Sequence, residues 1–309
     1  MLPPGAIVIY ETRHGSHAYG LATAESDLDV RGVFVPPLGD LIGFLDTPLQ
    51  LEPSPERVLY EVRKLFRLAA ACNPTVIEVL FTEASDHVAV TRAGERLLGA
   101  RDAFLSRRAG ESFGRYAVAQ LKRIKTHRRW LLSPPLEKPA RAAFGLPEKT
   151  TVSADQRGAA ETLMQRGDLS DESLSPAFLD LLDRERRYRA ALREWQQYED
   201  WRANRNPRRA ELERQFGYDT KHAMHLLRLL RMAREILSSG RVIVRRPDAE
   251  ELLAVRQGAL TFDALLAEAE GFGSELPGLA AGSALPAEPD EGFLNQLCGE
   301  VVELAHGEG

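Results

Sequence analysis

The 309-residue chain contains little cysteine, few aromatic residues and no long apolar run. Its two cysteines, Cys72 and Cys298, lie far apart in the sequence, so we expect neither a disulfide framework nor a cysteine zinc site. No apolar stretch reaches the roughly 18 residues that a membrane-spanning helix needs. The N-terminus also lacks a basic segment followed by an apolar signal core. We therefore expect a cytoplasmic protein that has no membrane partner.

Charged residues are abundant and unevenly distributed. The formal net charge is −5, yet residues 101–149 contain 12 Lys and Arg against 4 Asp and Glu. Residues 248–309 contain 1 Lys or Arg against 13 Asp and Glu. A basic segment of this kind is what binding to a phosphate backbone requires. The alternative is that these cations lie on solvated helix faces or pair with the acidic tail, and both interpretations stay open.

A Gly-Ser pair follows the first predicted strand. Residues 6–10 are apolar and rich in β-branched side chains, which predicts a buried strand that leads the chain to Gly15 and Ser16. Glycine allows the backbone to approach a phosphate closely. Backbone N–H groups and the Ser16 hydroxyl would then hold an anionic triphosphate.

Two aspartates follow ten residues later. Asp27 and Asp29 alternate with apolar residues and precede a predicted strand at 33–35. Successive side chains of an extended chain point to opposite faces, so the two carboxylates share one face. Two such carboxylates suit a pair of Mg²⁺ ions, with Mn²⁺ as the alternative. The order of strand, Gly-Ser turn and aspartate pair predicts a nucleotidyltransferase site whose substrate is an NTP.

Four segments together resemble a known family. They are residues 15–23, 26–33, 73–78 and 216–230. These segments are similar to the RNA-ligase-associated polymerase β-like proteins of the RNA repair pathway, within the DNA polymerase β-type nucleotidyltransferase superfamily. The resemblance implies an α+β fold, in which an N-terminal mixed-sheet catalytic module precedes a mainly α-helical domain. We place the module at 1–90, the helical domain at 91–270, and a linker with a C-terminal helix at 271–309.

The resemblance also implies a third metal-binding carboxylate on a neighbouring strand. Glu61 is the candidate, because it follows a strand-like run and corresponds to an acidic position in the family. Glu52 and Glu56 are rivals. Glu61 has a second interpretation, in which its charge favours the N-terminus of the next helix. That helix is predicted to stop at Asn73-Pro74, which then begins another.

Further candidates for nucleotide contacts come from the turn and from a later helix. His17 flanks the Gly-Ser pair, and Arg31 follows the aspartates, where it would meet phosphate or pair with Asp29. The 211–237 segment predicts one long helix, on which Lys221, His225 and Arg228 occupy positions i, i+4 and i+7. This polar face would bind triphosphate or the acceptor, or would simply be exposed to solvent.

The function indicated by these features is Mg²⁺-dependent transfer of NMP from an NTP to a hydroxyl acceptor. The acceptor favoured by the family is an RNA 3′ end in repair or processing, with an RNA ligase or another repair protein as a partner. Two alternatives remain. One is adenylyl transfer to a protein or small molecule, and the other is a non-catalytic NTP-binding regulator of antitoxin type.

Overall fold

The structure is a computed structural model. It describes residues 2–307 except 25, 45, 151, 154, 157, 159–161 and 163–174. The α+β fold predicted from the sequence is confirmed, because a five-stranded mixed sheet near the N-terminus is followed by a mostly helical region. The strands are β1 (Ile7–Arg13), β2 (Val30–Val35), β3 (Gln50–Ser54), β4 (Arg57–Glu61) and β5 (His87–Val90).

The sheet has the strand order β3-β4-β2-β1-β5. Strands β1 and β2 are antiparallel, with Arg13 opposite Val30. Strands β2 and β4 are parallel, with Val30 opposite Arg57 and Phe34 opposite Glu61. The end of β1, the start of β2 and the start of β4 therefore meet at the same edge of the sheet.

One face of the sheet contributes to the main hydrophobic core. Tyr10, Val33 and Val35 are completely or almost completely buried there, together with Val58 and Tyr60. These β-branched and aromatic residues fit a pleated surface that is covered by helices. The Tyr10 hydroxyl donates to the Val79 carbonyl at 2.9 Å, which ties β1 to the helix that carries Val79.

Twelve helices are described within these residues. They are α1 (Gly15–Tyr19), α2 (Leu38–Ile42), α3 (Val62–Ala70), α4 (Pro74–Leu80), α5 (Arg92–Gly99), α6 (Arg108–Leu132), α7 (Pro176–Ala203), α8 (Pro207–Phe216), α9 (Thr220–Ser239), α10 (Ala249–Arg256), α11 (Phe262–Gly282) and α12 (Glu291–Gly307). The predicted start of α4 is confirmed: Asn73 caps it by accepting from the Val76 amide, and Pro74 is its first residue.

Two helical predictions need correction. The single helix predicted at 211–237 is two helices, α8 and α9, because Gly217 adopts φ 74° and interrupts the helical path between them. The linker predicted from residue 271 is wrong for 271–282, which form the second half of α11. Leu265, Ala269, Phe272 and Leu276 are its buried residues, and their spacing is that of one helix face.

The chain forms two compact units. One contains Met1–Lys125 and Phe216–Gly309, and the other contains Thr126–Gln215. The sheet and helices α9 to α12 thus belong to the same unit. The domain boundaries proposed at residues 90 and 270 stay a prediction.

The second unit has an aromatic cluster of its own. Trp130 is 5% exposed and lies close to His127, Tyr198 and Trp201, with ring centroids 5.5–5.9 Å from its own. The indole is therefore packed in the interior of this unit, which leaves little of it to stack on a nucleic-acid base.

Candidate active site

The Gly-Ser pair lies where β1 ends. Helix α1 starts directly after His14, and Gly15 adopts φ 65°, a conformation that favours glycine. The His14 amide donates to the Asp29 carbonyl at 2.8 Å, so the turn is joined to the chain just before β2. In this described turn, the His14 side chain does not cap the helix. The first amides of α1 are therefore left for another acceptor.

The structure brings Gly15 and Asp29 into close contact. A Cβ atom at Gly15 would lie 2.6 Å from Asp29 Oδ2, closer than real Cβ contacts allow. Glycine is thus needed here for its backbone conformation and for the space that the carboxylate occupies. Asp27 is exposed and lies three residues before β2. The structure thus places Gly15 beside Asp29, and the phosphate and metal contacts of this segment stay predictions.

Arg31 contacts an aspartate rather than pointing to open solvent. Its Nη2 lies 3.4 Å from Asp29 Oδ1, and its Nη1 donates to the Glu56 carbonyl at 3.1 Å. The interpretation as an ion-pair partner of Asp29 therefore describes the arrangement better than a free phosphate contact.

His17 joins α1 to the loop that leads to the aspartates. Its Nε2 lies 3.3 Å from the Ser26 carbonyl oxygen, which can only accept, so this nitrogen carries the proton. His17 holds the loop and also lines an adjacent cavity.

The structure separates Glu61 from the two aspartates. Glu61 pairs with Phe34, four residues along β2 from Val30, which is about 13 Å at the strand rise. Alternation also puts Glu61 on the same sheet face as Phe34, whereas Asp29 continues the face of Arg31. Glu61 is fully buried, accepts from the Lys64 amide at 3.0 Å and pairs with Arg63 at 2.8 Å. The prediction of a metal-binding carboxylate at Glu61 therefore gives way to its second interpretation, a helix cap.

Glu56 lies in the turn between β3 and β4, one residue before β4, and is level with Asp29, which lies one residue before β2. The Val30 amide donates to the Glu56 carbonyl at 2.8 Å, one position before the Val30–Arg57 pair. Its side chain is exposed at the aspartate edge. Within the described residues, Asp27 and Asp29 do not form a possible metal site with a third His, Cys, Asp or Glu. No such set of three has all its ligand atoms within 4.8 Å of one another. Glu56 would have to turn toward them to complete one.

A cavity of about 580 Å³ opens beside α1. It is lined by Arg13, His17, Gly20, Ala22, Leu28, Asp86 and Arg245. Arg245 pairs with Glu83 at 2.7 Å and with Asp86 at 3.1 Å, so its guanidinium is held at the wall of the cavity. Arg13 and His17 on this wall offer contacts for an anionic ligand, whereas the charge of Arg245 is balanced by the two carboxylates.

The predicted polar face of α9 does not exist as one exposed surface. Lys221 is exposed, but Arg228 is only 5% exposed and forms a buried ion pair with Glu78. Burial and then the nearby Arg228 charge lower the pKa of His225 to about 3, so the ring is neutral at physiological pH. Of the three residues, Lys221 alone presents a charge to solvent.

The buried ion pair is part of a larger network. The Glu78 carboxylate also accepts from the Tyr19 hydroxyl and lies 3.5 Å from His14 Nε2. Burial opposes ionisation of Glu78, but the Arg228 guanidinium, together with the contacts from His14 and Tyr19, outweighs burial and lowers the pKa to about 2. Burial also raises the pKa of Tyr19 well above its usual value, which keeps the hydroxyl protonated as a donor.

Sequence reasoning missed this network and the cavity arginines. A signal for the network was present, because Glu78 stands among Val76, Ile77, Val79 and Leu80, all of which are buried. A carboxylate in such a helix requires a buried partner. Arg13 and Arg245 carry no comparable local signal, since the fold alone brings them together.

Part of the basic segment is neutralised by ion pairs within the protein. Ion pairs join Arg108 to Glu288 at 2.7 Å in the acidic tail, and Arg115 to Glu111 at 3.6 Å on the same helix. Within the second unit, ion pairs join Arg129 to Glu194 and Arg141 to Glu185. Exposed cations remain on α6 at Lys122, Arg123 and Lys125. The ion pairs fit the second interpretation, and phosphate binding by the exposed cations stays a prediction.

The Gly-Ser turn after β1 and the aspartate pair before β2 form the pattern of polymerase β-type nucleotidyltransferases. Residues 5–132 match the family described as the RNA repair pathway DNA polymerase beta family. The predicted resemblance is therefore confirmed for this region.

The chain is also similar to a phage protein, the uncharacterized 38.9 kDa protein in the nrdC-mobD intergenic region of Enterobacteria phage T4. The two are 32% identical over 85 residues, which cover 24% of this chain and 25% of the phage protein. The match thus spans about a quarter of the relative's length. No solved structure matches this chain. Among the described helices, none has both the length and the apolar character needed to cross a bilayer.

Proposed function

We propose that the protein is a Mg²⁺-dependent nucleotidyltransferase that transfers NMP from an NTP to a hydroxyl acceptor. The observation that carries this proposal is the contact between Gly15 and the Asp29 carboxylate. It brings the turn that would bind phosphate next to a side chain that would bind a metal ion. The match of residues 5–132 to an RNA repair polymerase β family supports the same reaction class.

The residues beside the turn fit a hard divalent cation. Asp27 and Asp29 offer carboxylate oxygens, which Mg²⁺ prefers, and Gly15 leaves the space beside Asp29 that a larger residue would fill. When bound, a pair of cations would neutralise the triphosphate and lower the pKa of the attacking hydroxyl. Arg31 orients Asp29 through the ion pair at 3.4 Å. Glu56 is our candidate for the third carboxylate, because it immediately precedes β4 and is level with Asp29.

The nucleotide would lie between α1 and the adjacent cavity. Uncapped amides at the start of α1 and the Ser16 hydroxyl would donate to phosphate oxygens. Arg13 would add charge-assisted hydrogen bonds from the cavity wall, where Arg245 is already paired with Glu83 and Asp86. His17 would keep the aspartate loop against the turn through Ser26. Lys221 stays a proposed phosphate contact, whereas the neutral His225 brings no positive charge to the phosphates.

The acceptor we favour is an RNA 3′ end. Its support is the name of the matched family and the exposed cations Lys122, Arg123 and Lys125 on α6. Such cations bind phosphates without sequence preference, and their contribution falls as salt rises. Through the same family, an RNA ligase or another repair protein is the proposed partner.

The proposal is tested by incubating the protein with each α-labelled NTP and Mg²⁺. Separate reactions would contain single-stranded RNA, DNA, protein extract or no acceptor. We expect label in RNA, release of pyrophosphate, and no label when the RNA 3′ hydroxyl is blocked. Label in protein instead would favour the adenylyltransferase alternative. NTP binding without pyrophosphate release in any reaction would favour the non-catalytic alternative.

A further inference from the structure

We propose that Glu78 and Arg228 are positioning residues that hold the Gly-Ser turn against Asp29. This inference rests on the proposed function and gives Arg228 a role that needs no contact with phosphate. The two residues come from α4 and α9, outside the Gly-Ser and Asp-x-Asp motifs.

The network contacts the Gly-Ser turn through a residue on each side of it. His14 precedes Gly15-Ser16 and Tyr19 ends α1, and both side chains reach the Glu78 carboxylate. Arg228 donates to the other Glu78 oxygen, Oε1. The four residues of the network, His14, Tyr19, Glu78 and Arg228, are between 2 and 6% exposed. Solvent therefore hardly screens their interactions.

Arg228 also contacts Tyr19 directly. Its guanidinium carbon lies 3.9 Å from the centre of the Tyr19 ring, in the geometry of a cation–π contact. The same arginine therefore holds Tyr19 twice, through the ring and through the shared carboxylate. Removal of either charge would leave its partner buried without compensation.

The turn has little freedom to move without disturbing Asp29. The His14 amide is bonded to the Asp29 carbonyl at 2.8 Å, and the Gly15 backbone packs against the Asp29 carboxylate. Functional groups need to be held to about 0.5 Å. A misplacement of about 1 Å can cost roughly 10²-fold in rate. A tilt of α1 that follows loss of the network would therefore separate the phosphate donors from the aspartates.

Arg228→Met and Glu78→Gln test the inference, with Arg231→Met as the matched control. Arg231 lies on the same helix and forms ion pairs of its own with Asp248 at 2.6 Å and Glu268 at 3.0 Å. Its loss also removes a semi-buried charge network, but one formed with Asp248, directly before α10, and with Glu268 on α11. All three variants should lower the melting temperature, so stability alone does not distinguish them.

The deciding measurement is hydrogen–deuterium exchange of the amides at 14–21, in the protein without ligand. We expect exchange at least tenfold faster in the Arg228 and Glu78 variants, and unchanged exchange there in the Arg231 variant. Mn²⁺ affinity, followed by the free-ion paramagnetic resonance signal, should fall at least tenfold in the first two variants. It should change less than twofold in the control.

The outcomes separate this inference from the proposed function. Unchanged exchange at 14–21 in both test variants, or unchanged Mn²⁺ affinity despite faster exchange, would overturn the positioning role. The same changes in the Arg231 variant would also overturn it, because the effect would then be a general loss of stability. Failure of the wild-type protein to transfer any nucleotide would count against the proposed function, while the exchange result would still decide whether the network holds the turn.

Discussion

Replacement of Gly15 by alanine would affect the site in two ways that can be calculated separately. The backbone at Gly15 has φ 65°, and a residue with a side chain pays roughly 1–2 kcal/mol in that conformation. The new Cβ would also lie 2.6 Å from Asp29 Oδ2, while ordinary contact begins at 3.4 Å, so the carboxylate must retreat by about 0.8 Å. Rotation of the Asp29 side chain allows this movement at little cost in folding free energy. The rotation nevertheless displaces the proposed metal ligand.

We therefore expect Gly15→Ala to lose about 1–2 kcal/mol of stability and about 10²-fold of transfer rate. Gly240→Ala is the control, because Gly240 ends α9 at φ 68° and its Cβ would find Leu285 at 3.8 Å. It carries the same strain without a clash. Urea unfolding and initial rates of label transfer measure the two effects. The reasoning is refuted if Gly15→Ala transfers label within threefold of Gly240→Ala.

Three further predictions concern the corrected carboxylate, acid stability and the acceptor. Glu56→Gln should lower kcat at least tenfold, whereas Glu61→Gln should cost about 1 kcal/mol of stability as a weakened helix cap and leave kcat within threefold. The opposite pattern in paired rate and unfolding assays would restore Glu61 as the ligand. Because the folded-state pKa of Glu78 lies near 2, below the ordinary 4.5, its contribution to stability is complete above pH 4.5 and is lost as pH falls toward 2. Wild type should therefore lose roughly 3 kcal/mol more than Glu78→Gln over this range in urea unfolding, and parallel curves would contradict the pairing. Replacing Lys122 and Lys125 by alanine should reduce the slope of log K against log salt by about 1.4 for single-stranded RNA, and an unchanged slope would exclude this surface.

Local sequence signals were sufficient to predict that Gly15 lies beside Asp29. A β-branched run, Gly15 and the alternation of Asp27 with Asp29 all act over a few residues, and the structure places Gly15 and Asp29 in contact. Glu61 could not be placed in this way. Its distance from the aspartates depends on the parallel pairing of β2 with β4, which brings Val30 beside Arg57 rather than beside Glu61.

The helical errors have a different physical origin. The i, i+7 spacing that joins Lys221 to Arg228 is real, but spacing does not show which turn of a helix lies under another element. Lys221 is exposed at the start of α9, while Arg228 is covered by Tyr19 and Glu78. In α11, glycine, alanine and proline suggested a linker. The apolar residues nevertheless recur at helical spacing, and their burial stabilises a helix there.

The measurement that tests the central claim most directly compares wild type with Asp29→Asn in one assay of NMP transfer and pyrophosphate release. Asparagine keeps the shape of the side chain and removes the charge that holds a divalent cation. The account predicts Mg²⁺-dependent label transfer by wild type and a loss of at least about 100-fold, some 2.7 kcal/mol of transition-state stabilisation, in the variant. Melting temperature and the exchange of amides in β1 and β2 should stay close to wild type. Transfer by Asp29→Asn within tenfold of wild type would contradict the assignment of this aspartate and of the site built around it.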